Sequence, residues 1–551
     1  MPLTLLPFQT EDVEKLKSKR SRLIGNEPGT GKTYEGIALD LANRAGDGHP
    51  KVEVPQVAKT LIVCPKNALA VWDEHLCDLT NDYVYLYTYN TRHKFLQQAK
   101  DPKRGGYFIV NYDSVRISDL EDLRNVDWFH IIGDEIHRIK NRKSQMTIAF
   151  KKIPTIYKTG MSGTPADNLP PDLWSTLNWL WPNYYTAFWG FVKAYTEKIE
   201  LKQTREQAAS GRTDGYRKIT GVKNLHILHK EMEPWFVRRR KKDVLKDLPD
   251  KYYKRIMVDL GPKQRKAYDE MKKTAALWFE ENAEELNAKN PLVTMAAIAQ
   301  LQRLQQLTAG YLVPRIDPAT GEQAWHWKWP KYGVDDFLQQ YPLKFERLKE
   351  YKKKYADDPI AGGATVEWEW DLDDPSAKID TIMDLLEDRD EDEGIIIFSQ
   401  SKVAINLLGK RLAAARVPHG LYTGDTKQSA RDQLVRDFQE GRVRVFAGTI
   451  QAGGEAITLT RSSTVLFIDR WWSPSKNTQA EDRAHRIGQR NAVEIIDLMA
   501  RNTIDLGRYQ SIALKEKWLM QLFGDVVDQD KIIEEIDLSK VLNVDEMMEE
   551  D

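Results

Sequence analysis

Short apolar runs bounded by turn residues alternate with amphipathic stretches in two parts of the chain. In the first part, about residues 20–165, the runs are RLIG (22–25), TLIVC (60–64), YFIV (107–110), HIIG (130–133) and TGM (159–161). The second part, about 376–515, repeats the pattern with GIIIFSQ (394–400), HGLYTG (419–424), VRVFAGT (443–449), TVLFID (464–469) and AVEIIDL (492–498). Continuous apolar runs of this length predict strands buried on both faces, so each part reads as a parallel sheet covered by helices. Ligands of such sheets gather at loops leaving the carboxyl ends of the strands.

Between the two parts the pattern changes. KQRKAYDEMKKTAALWFEENAEELNAK (263–289) and TMAAIAQLQRLQQLTAGYL (294–312) have long helical periodicity. WHWKW (325–329) and VEWEWDL (366–372) alternate at period two, which predicts strands or a hairpin around the turn signal DPATG (317–321). Its tryptophans, Trp325, Trp327, Trp329, Trp368 and Trp370, are read first as a small core. Base stacking or a protein partner is the alternative. The fold class is α/β with two parallel-sheet lobes, helical protrusions and a Trp-rich insert between them. The expected bounds are 1–185 for the first lobe and 186–375 for the middle region. The second lobe takes 376–515, and a C-terminal helix with an acidic tail takes 516–551.

Composition narrows the class. The 551 residues are 41% hydrophobic and 30% charged, enough apolar material for more than one core. A net charge of −1 gives no global positive field, so any anionic polymer must be met by local charge. Cys64 and Cys77 form no CxxC or Cys/His cluster, which argues against structural zinc and a disulfide framework. MPLTLLPFQTEDVEKL lacks the basic start and apolar core of a signal peptide, and no run reaches membrane-spanning length. An intracellular location is expected.

NEPGTGKT (26–33) follows a strand and opens a helical segment. Such a loop wraps its backbone N–H groups round a phosphate at a helix N-terminus. Pro28, Gly29, Thr30 and Gly31 form the cradle. Lys32 sets a charge on the β- and γ-phosphates of ATP, and the Thr33 hydroxyl ligates Mg2+. A small residue is usual where Asn26 stands. HIIGDEIH (130–137) ends a strand in Asp134, a second Mg2+ holder, and Glu135, which would orient and deprotonate the attacking water. An acidic pair there could also serve as a helix cap, but that leaves its coincidence with the phosphate loop unexplained. In MSGTP (161–165), Ser162 and Thr164 could report loss of the γ-phosphate or simply form a turn. QAEDRAHRIGQR (479–490) sets Gln479, Arg483 and Arg486 at helical spacing, with the two arginines on one face. In a domain separate from the phosphate loop, they fit arginine fingers.

Taken together, these motifs resemble an SWI/SNF-type ATPase of helicase superfamily two, from about Leu6 to about Leu506. LLPFQTEDV (5–13), LIVCPKNALAVWDEHL (61–76), FIVNYDSV (108–115), DEIH with RIKN (138–141), and SGTPADNLPPDLWSTLNWLWP follow the family order. So do FVRRRKKDVLKDLPDK (236–251), GPKQRKAYDEM (261–271) and the 448–489 stretch ending AHRIGQ. Asn26, Glu455 and the Trp-rich insert depart from the pattern. The resemblance implies two RecA-like lobes, ATP and Mg2+ as cofactors, and a motor running on DNA, with duplex favoured and no sequence preference. It implies Gln9 on the adenine base, and Gly454 and Gln479 beside the nucleotide. Candidate track contacts are Lys66, Asn67, Thr449, Gln451 and Trp471, with Trp472 beside it. For the basic run Arg238, Arg239, Arg240, Lys241 and Lys242, DNA contact or docking onto the other lobe stands level with a plain solvated surface. A monomer is expected, with the Trp-rich insert as a possible protein-binding surface. The rival readings are a strand-separating helicase, an RNA-directed motor and a nucleotide-gated clamp that does not hydrolyse ATP.

Overall fold

Seven parallel strands build the first sheet of the computed structural model, which describes residues 3–88, 90–115, 120–166, 169–199, 218–281, 291–329, 345–453 and 457–524. They are β1 (Ser21–Ile24), β2 (Lys59–Cys64), β3 (Val84–Leu86), β4 (Gly106–Asn111), β5 (Trp128–Asp134), β6 (Thr155–Met161) and β7 (Phe236–Val237). Their spatial order is β3-β4-β2-β5-β6-β1-β7. Alternate residues face opposite cores because the strand period is two. Leu23, Leu61, Val63 and Ile131 pack with Phe150, Leu177 and Leu228. Ile24, Ile62 and Ile132 pack on the other face with Leu16, Ile37 and Trp72. The helices α1 (Pro7–Lys17) and α2 (Lys32–Arg44) cover this second face.

A second parallel sheet has six strands: β8 (Lys251–Val258), β9 (Ile395–Ser399), β10 (His419–Tyr422), β11 (Val445–Thr449), β12 (Thr464–Phe467) and β13 (Val493–Ala500). Its order is β8-β13-β12-β9-β11-β10. Ile395, Ile397, Val445 and Leu466 line one core, while Ile396, Phe398, Phe446 and Val465 line the other. Both sheets match the two RecA-like lobes expected from the motifs.

Sheet membership crosses the expected lobe bounds at three places. β7 and β8 both fall in the stretch assigned to the middle region, yet β7 pairs with β1 and β8 with β13. KYYKRIMV carries five charged or phenolic residues on a mostly exposed edge, so it lacks the apolar run of a central strand. The helix α3 (Ile504–Phe523) begins well before the expected 516. It starts on the second lobe, where Asp505 pairs with Lys378 at 2.6 Å, and ends in the first lobe's core with Leu522 and Phe523 buried. Gly524, with φ +72°, caps it in the left-handed region that glycine tolerates best. The acidic tail lies outside the described residues.

The Trp-rich segments pair as expected. Residues 325–328 run antiparallel to 365–368, with Trp325 opposite Trp368. The rings of Trp325 and Trp327 meet edge to face at 5.2 Å, Trp329 lies against Tyr351, and Arg303 covers Trp370. The rings touch locally, but Trp325 is 46% exposed and Trp327, Trp329 and Trp370 are half-buried, so they form no closed core.

Candidate active site

β5, β6 and β1 are neighbours, and Met161 is level with both Ile24 and Asp134. The loops leaving their carboxyl ends are therefore side by side. The first is the phosphate-type loop. Gly29 and Gly31 both have φ +83°, and a Cβ on Gly31 would lie 2.5 Å from the Gln9 side-chain nitrogen. Glycine is required there by both conformation and space. Gln9 is 3% exposed and donates to the Thr30 carbonyl at 2.9 Å, while its oxygen accepts from the Leu6 N–H at 2.8 Å. The structure thus sets Gln9 as a brace under the loop. Thr30 is tied back to the Glu27 carbonyl, and Pro28 packs against Gly163 of the third loop.

Lys32 and Thr33 open α2. The Lys32 ammonium donates to the Asn26 and Glu27 carbonyls at 2.8 and 3.1 Å. Burial lowers its pKa, with the charges of Glu135 and Asp134 acting against that. Asn26, the departure from the usual small residue, is buried and donates to Asp12 at 2.9 Å and to Glu35 at 2.9 Å. Asp12 in turn accepts from Arg239.

Asp134 accepts from the Trp72 indole N–H at 3.0 Å and from the Glu135 backbone N–H at 2.9 Å. Burial and the neighbouring Glu135 raise its pKa. Glu135 sits in the left-handed region with φ +48°, an uncommon conformation for a residue with a side chain. Burial pushes its pKa up, but the hydrogen bond and charge of His137, with Lys32 and Ser162, outweigh that and hold it down. His137 lies 3.2 Å from its carboxylate, and the Ser162 hydroxyl donates to it at 3.2 Å. The two adjacent carboxylates thus differ in what holds them, Glu135 by His137 and Ser162 and Asp134 by the Trp72 indole. Trp72 and His137 were not singled out from the sequence, although both sit inside quoted motifs. Their partners are set by tertiary contacts.

The second lobe supplies the arginines, with one difference from expectation. The helix of residues Pro474–Glu481 stops before them, and a turn carries Arg483 and Arg486. Arg483 donates its backbone N–H to the Ala480 carbonyl, tightening the chain past the helix end. Both guanidiniums still point the same way, since each donates to the Ile457 carbonyl. Arg486 also reaches the Thr458 hydroxyl at 3.0 Å. A Cβ built on Gly29 would lie 3.5 Å from Cβ of Arg486, so the turn abuts the loop of the other lobe. Burial, then Arg486, lowers the Arg483 pKa to about 10, with the Glu135 charge pulling the other way. Arg483 therefore stays cationic at neutral pH. Gln479 is half-buried in the preceding helix, and Gly454 lies outside the described residues.

For Mg2+, the donor set fits. No cluster of three or more ligating side chains occurs among the described residues. An ion of this kind uses one or two protein oxygens and completes its shell with water and phosphate. Thr33 and Asp134 would be those two, beside a loop whose glycines leave room for phosphate.

The candidate track residues separate into two groups. Lys66 and Asn67 are exposed at the start of a short 3-10 turn, and Gln451 is exposed after β11. Thr449 is 7% exposed, and its hydroxyl accepts from the Ala452 N–H. The Trp471 ring is covered by Lys476 at 4.3 Å, and that of Trp472 by Arg508 at 4.9 Å. The basic run is mixed: Lys241 is buried and Lys242 exposed. Arg238 donates to the Gly25 and Gly163 carbonyls, Arg239 pairs with Asp12 and Glu11, and Arg240 pairs with Asp243.

Comparison with known proteins gives the same two halves. Residues 12–308 match the family model of the SNF2-related domain, and residues 377–488 match that of the helicase conserved C-terminal domain. The chain is 26% identical to TATA-binding protein-associated factor 172 of Homo sapiens, over 93% of this chain and 27% of that protein. It is 24% identical to an uncharacterized ATP-dependent helicase of Mycoplasma genitalium, over 91% of this chain and 40% of the relative. The chain thus spans well under half the length of these relatives. The solved SWI2/SNF2 ATPase core of Sulfolobus solfataricus in complex with dsDNA aligns over 95% of this chain and 98% of that one. Its TM-score is 0.38 at 19% identity.

Proposed function

We propose, from the premise that this chain belongs to the SNF2-related family, that it is a DNA-dependent ATPase moving along duplex DNA without strand separation. The observation that carries the reading is the composite site. Phosphate and metal-binding groups sit in one lobe, and Arg483 and Arg486 of the other lobe abut the same loop. A nucleotide-gated clamp would need no second-lobe arginines beside a base.

In this reading Lys32 leaves the Asn26 and Glu27 carbonyls for the β- and γ-phosphates, and Thr33 and Asp134 hold Mg2+. The ion would neutralise charge shared by those phosphates. Glu135, kept anionic by His137 and Ser162, orients the attacking water and takes its proton as the bond to the γ-phosphorus forms. Arg483 and Arg486 stabilise the charge that moves onto the leaving oxygen. Losing the γ-phosphate removes the anion both lobes share, so the lobes relax apart. Ser162 bonds the base and belongs to the loop after β6, which suits it to pass that change on. If each lobe grips the DNA backbone in turn, through groups such as Lys66, Asn67 and Gln451, the cycle moves the chain stepwise. Such a motor would serve replication, recombination, repair or displacement of DNA-bound proteins, inside the cell. Among the described residues no helix is long and apolar enough to cross a membrane.

ATP turnover measured with duplex DNA, single-stranded DNA and RNA tests the assignment. Duplex should stimulate most, and a triplex strand should be displaced while a forked duplex stays paired. Glu135→Gln should cost roughly 10²–10⁴ in rate, and Arg483→Ala or Arg486→Ala about 10³ or more. Turnover indifferent to DNA would sink the translocase reading. Unchanged turnover in Lys32→Ala would place the active site elsewhere.

A further inference from the structure

The basic segment after the first lobe forms the covalent bridge between the sheets, since β7 belongs to one and β8 to the other. It first runs beside the phosphate loop. The Gly25 N–H donates to Val237, the Glu27 N–H donates to Arg239, and the Lys241 N–H donates to the Glu27 carboxylate at 2.8 Å. Lys241 is therefore fixed to the first lobe by its backbone. Its side chain reaches across to the second lobe. The ammonium donates to the His485 carbonyl at 2.6 Å and pairs with Asp482 at 2.9 Å, both residues of the second lobe that flank Arg483. Lys241 is 3% and Asp482 5% exposed. The Lys241 stem also passes 3.5 Å from the Cβ position of Gly29.

Asp482 has a second partner in Lys251, at 2.8 Å, at the start of β8. His485 is further tied to the Pro249 carbonyl, and Glu481 to Lys251, Tyr253 and Arg470. These contacts hold the turn to its own lobe and to the far end of the bridge. Lys241 is the member of the cluster anchored beside the phosphate loop. Truncating one partner of a buried pair leaves the other charge exposed to its full desolvation cost, so such a contact sets geometry strongly.

We propose that Lys241 is a positioning residue that latches the second lobe onto the first, gripping Asp482 and the His485 carbonyl so that Arg483 and Arg486 face the phosphate loop. It acts through the arginines and does not itself take part in hydrolysis. This rests on the composite ATPase site above. A static pair would stabilise the fold alone, whereas a latch changes lobe closure and kcat while leaving first-lobe nucleotide binding intact.

Lys241→Met keeps the stem and removes the ammonium, and Asp482 retains Lys251. Asp482→Asn removes the acceptor charge. Dyes on Cys77, exposed in the first lobe, and on Lys410→Cys in the second report closure by energy transfer with the imido analogue of ATP. Binding of fluorescent ADP reports the first lobe. For a chain that retains its circular dichroism spectrum, each single variant should lower kcat and closure by about five- to a hundredfold with ADP affinity unchanged. The double variant should lose little more than the worse single, because both break one contact. Three results would overturn the latch: wild-type kcat in Lys241→Met, lost ADP affinity with closure intact, or losses that multiply in the double variant. If the unaltered chain hydrolyses no ATP with any nucleic acid, the ATPase reading fails instead.

Discussion

Asn26 shows how a departure at one position is absorbed by its neighbours. A small residue would leave Asp12 and Glu35 facing each other beneath the phosphate loop; the Asn26 amide instead donates to both. Burial, followed by the charge of Asp12, still raises the Glu35 carboxyl to about 8. A carboxyl whose folded pKa lies above its unfolded value binds a proton more tightly when folded. Its contribution is fully present below about pH 4.5 and is lost as pH rises through about 8. Thermal unfolding followed from pH 5 to pH 9 should therefore show stability declining with pH, and Glu35→Gln should flatten that decline. A variant with the parent's slope would locate the titration elsewhere. Lys66 makes the contrasting case of an exposed charge with no part in the fold. Lys66→Ala should weaken DNA binding evenly across sequences and reduce the slope of log K against log salt by about 1. An unchanged slope in a fluorescence-anisotropy titration would remove Lys66 from the track.

At the scale of elements, the ends of strands and helices decide more than their middles. β1, β5 and β6 are buried toward their carboxyl ends, and their adjacency sets three loops in a row. The helix α3 does the opposite job, joining lobes through its two ends. Its first turn is held in the second lobe by Asp505, while Phe523 meets Phe236 of β7 at 5.8 Å and the Arg238 guanidinium at 4.9 Å. Arg238 also bonds the Gly25 and Gly163 carbonyls, so the helix end touches the group that ties two active-site loops. Phe523→Ala should cost about 3–5 kcal/mol in the first lobe's unfolding transition, the usual range for a buried aromatic. It should also loosen the Arg238 contacts and lower ATP turnover. Denaturant titration and steady-state hydrolysis check the two parts separately.

At the scale of the molecule, the proposed active site is complete only when the lobes meet. Lys32, Asp134 and Glu135 are ordered by their own sheet, whereas Arg483 and Arg486 depend on where the second lobe rests. The chain joining the sheets is the same basic segment whose arginines brace the phosphate loop. A residue there can therefore affect hydrolysis without touching nucleotide, and the latch at Lys241 is the instance argued above. Arg238 and Arg239 are occupied within the first lobe, which leaves the exposed Lys66, Asn67, Lys242 and Gln451 as the groups open to a DNA backbone.

The sequence by itself determined the two parallel sheets, the order of the motifs, and which loop and acidic pair the proposed chemistry rests on. Those features are local: an apolar run makes a buried strand, and glycines with a lysine at its end make a phosphate cradle. Only the tertiary structure decided that KYYKRIMV is an edge strand of the second sheet, that Gln9 braces the loop, and that Trp72 and His137 bond the two carboxylates. It also decided the meeting of Lys241 with Asp482. An edge strand needs no apolar alternation because one side faces water. A pair joined across two lobes leaves no periodic trace in the chain, since its geometry depends on how both lobes pack.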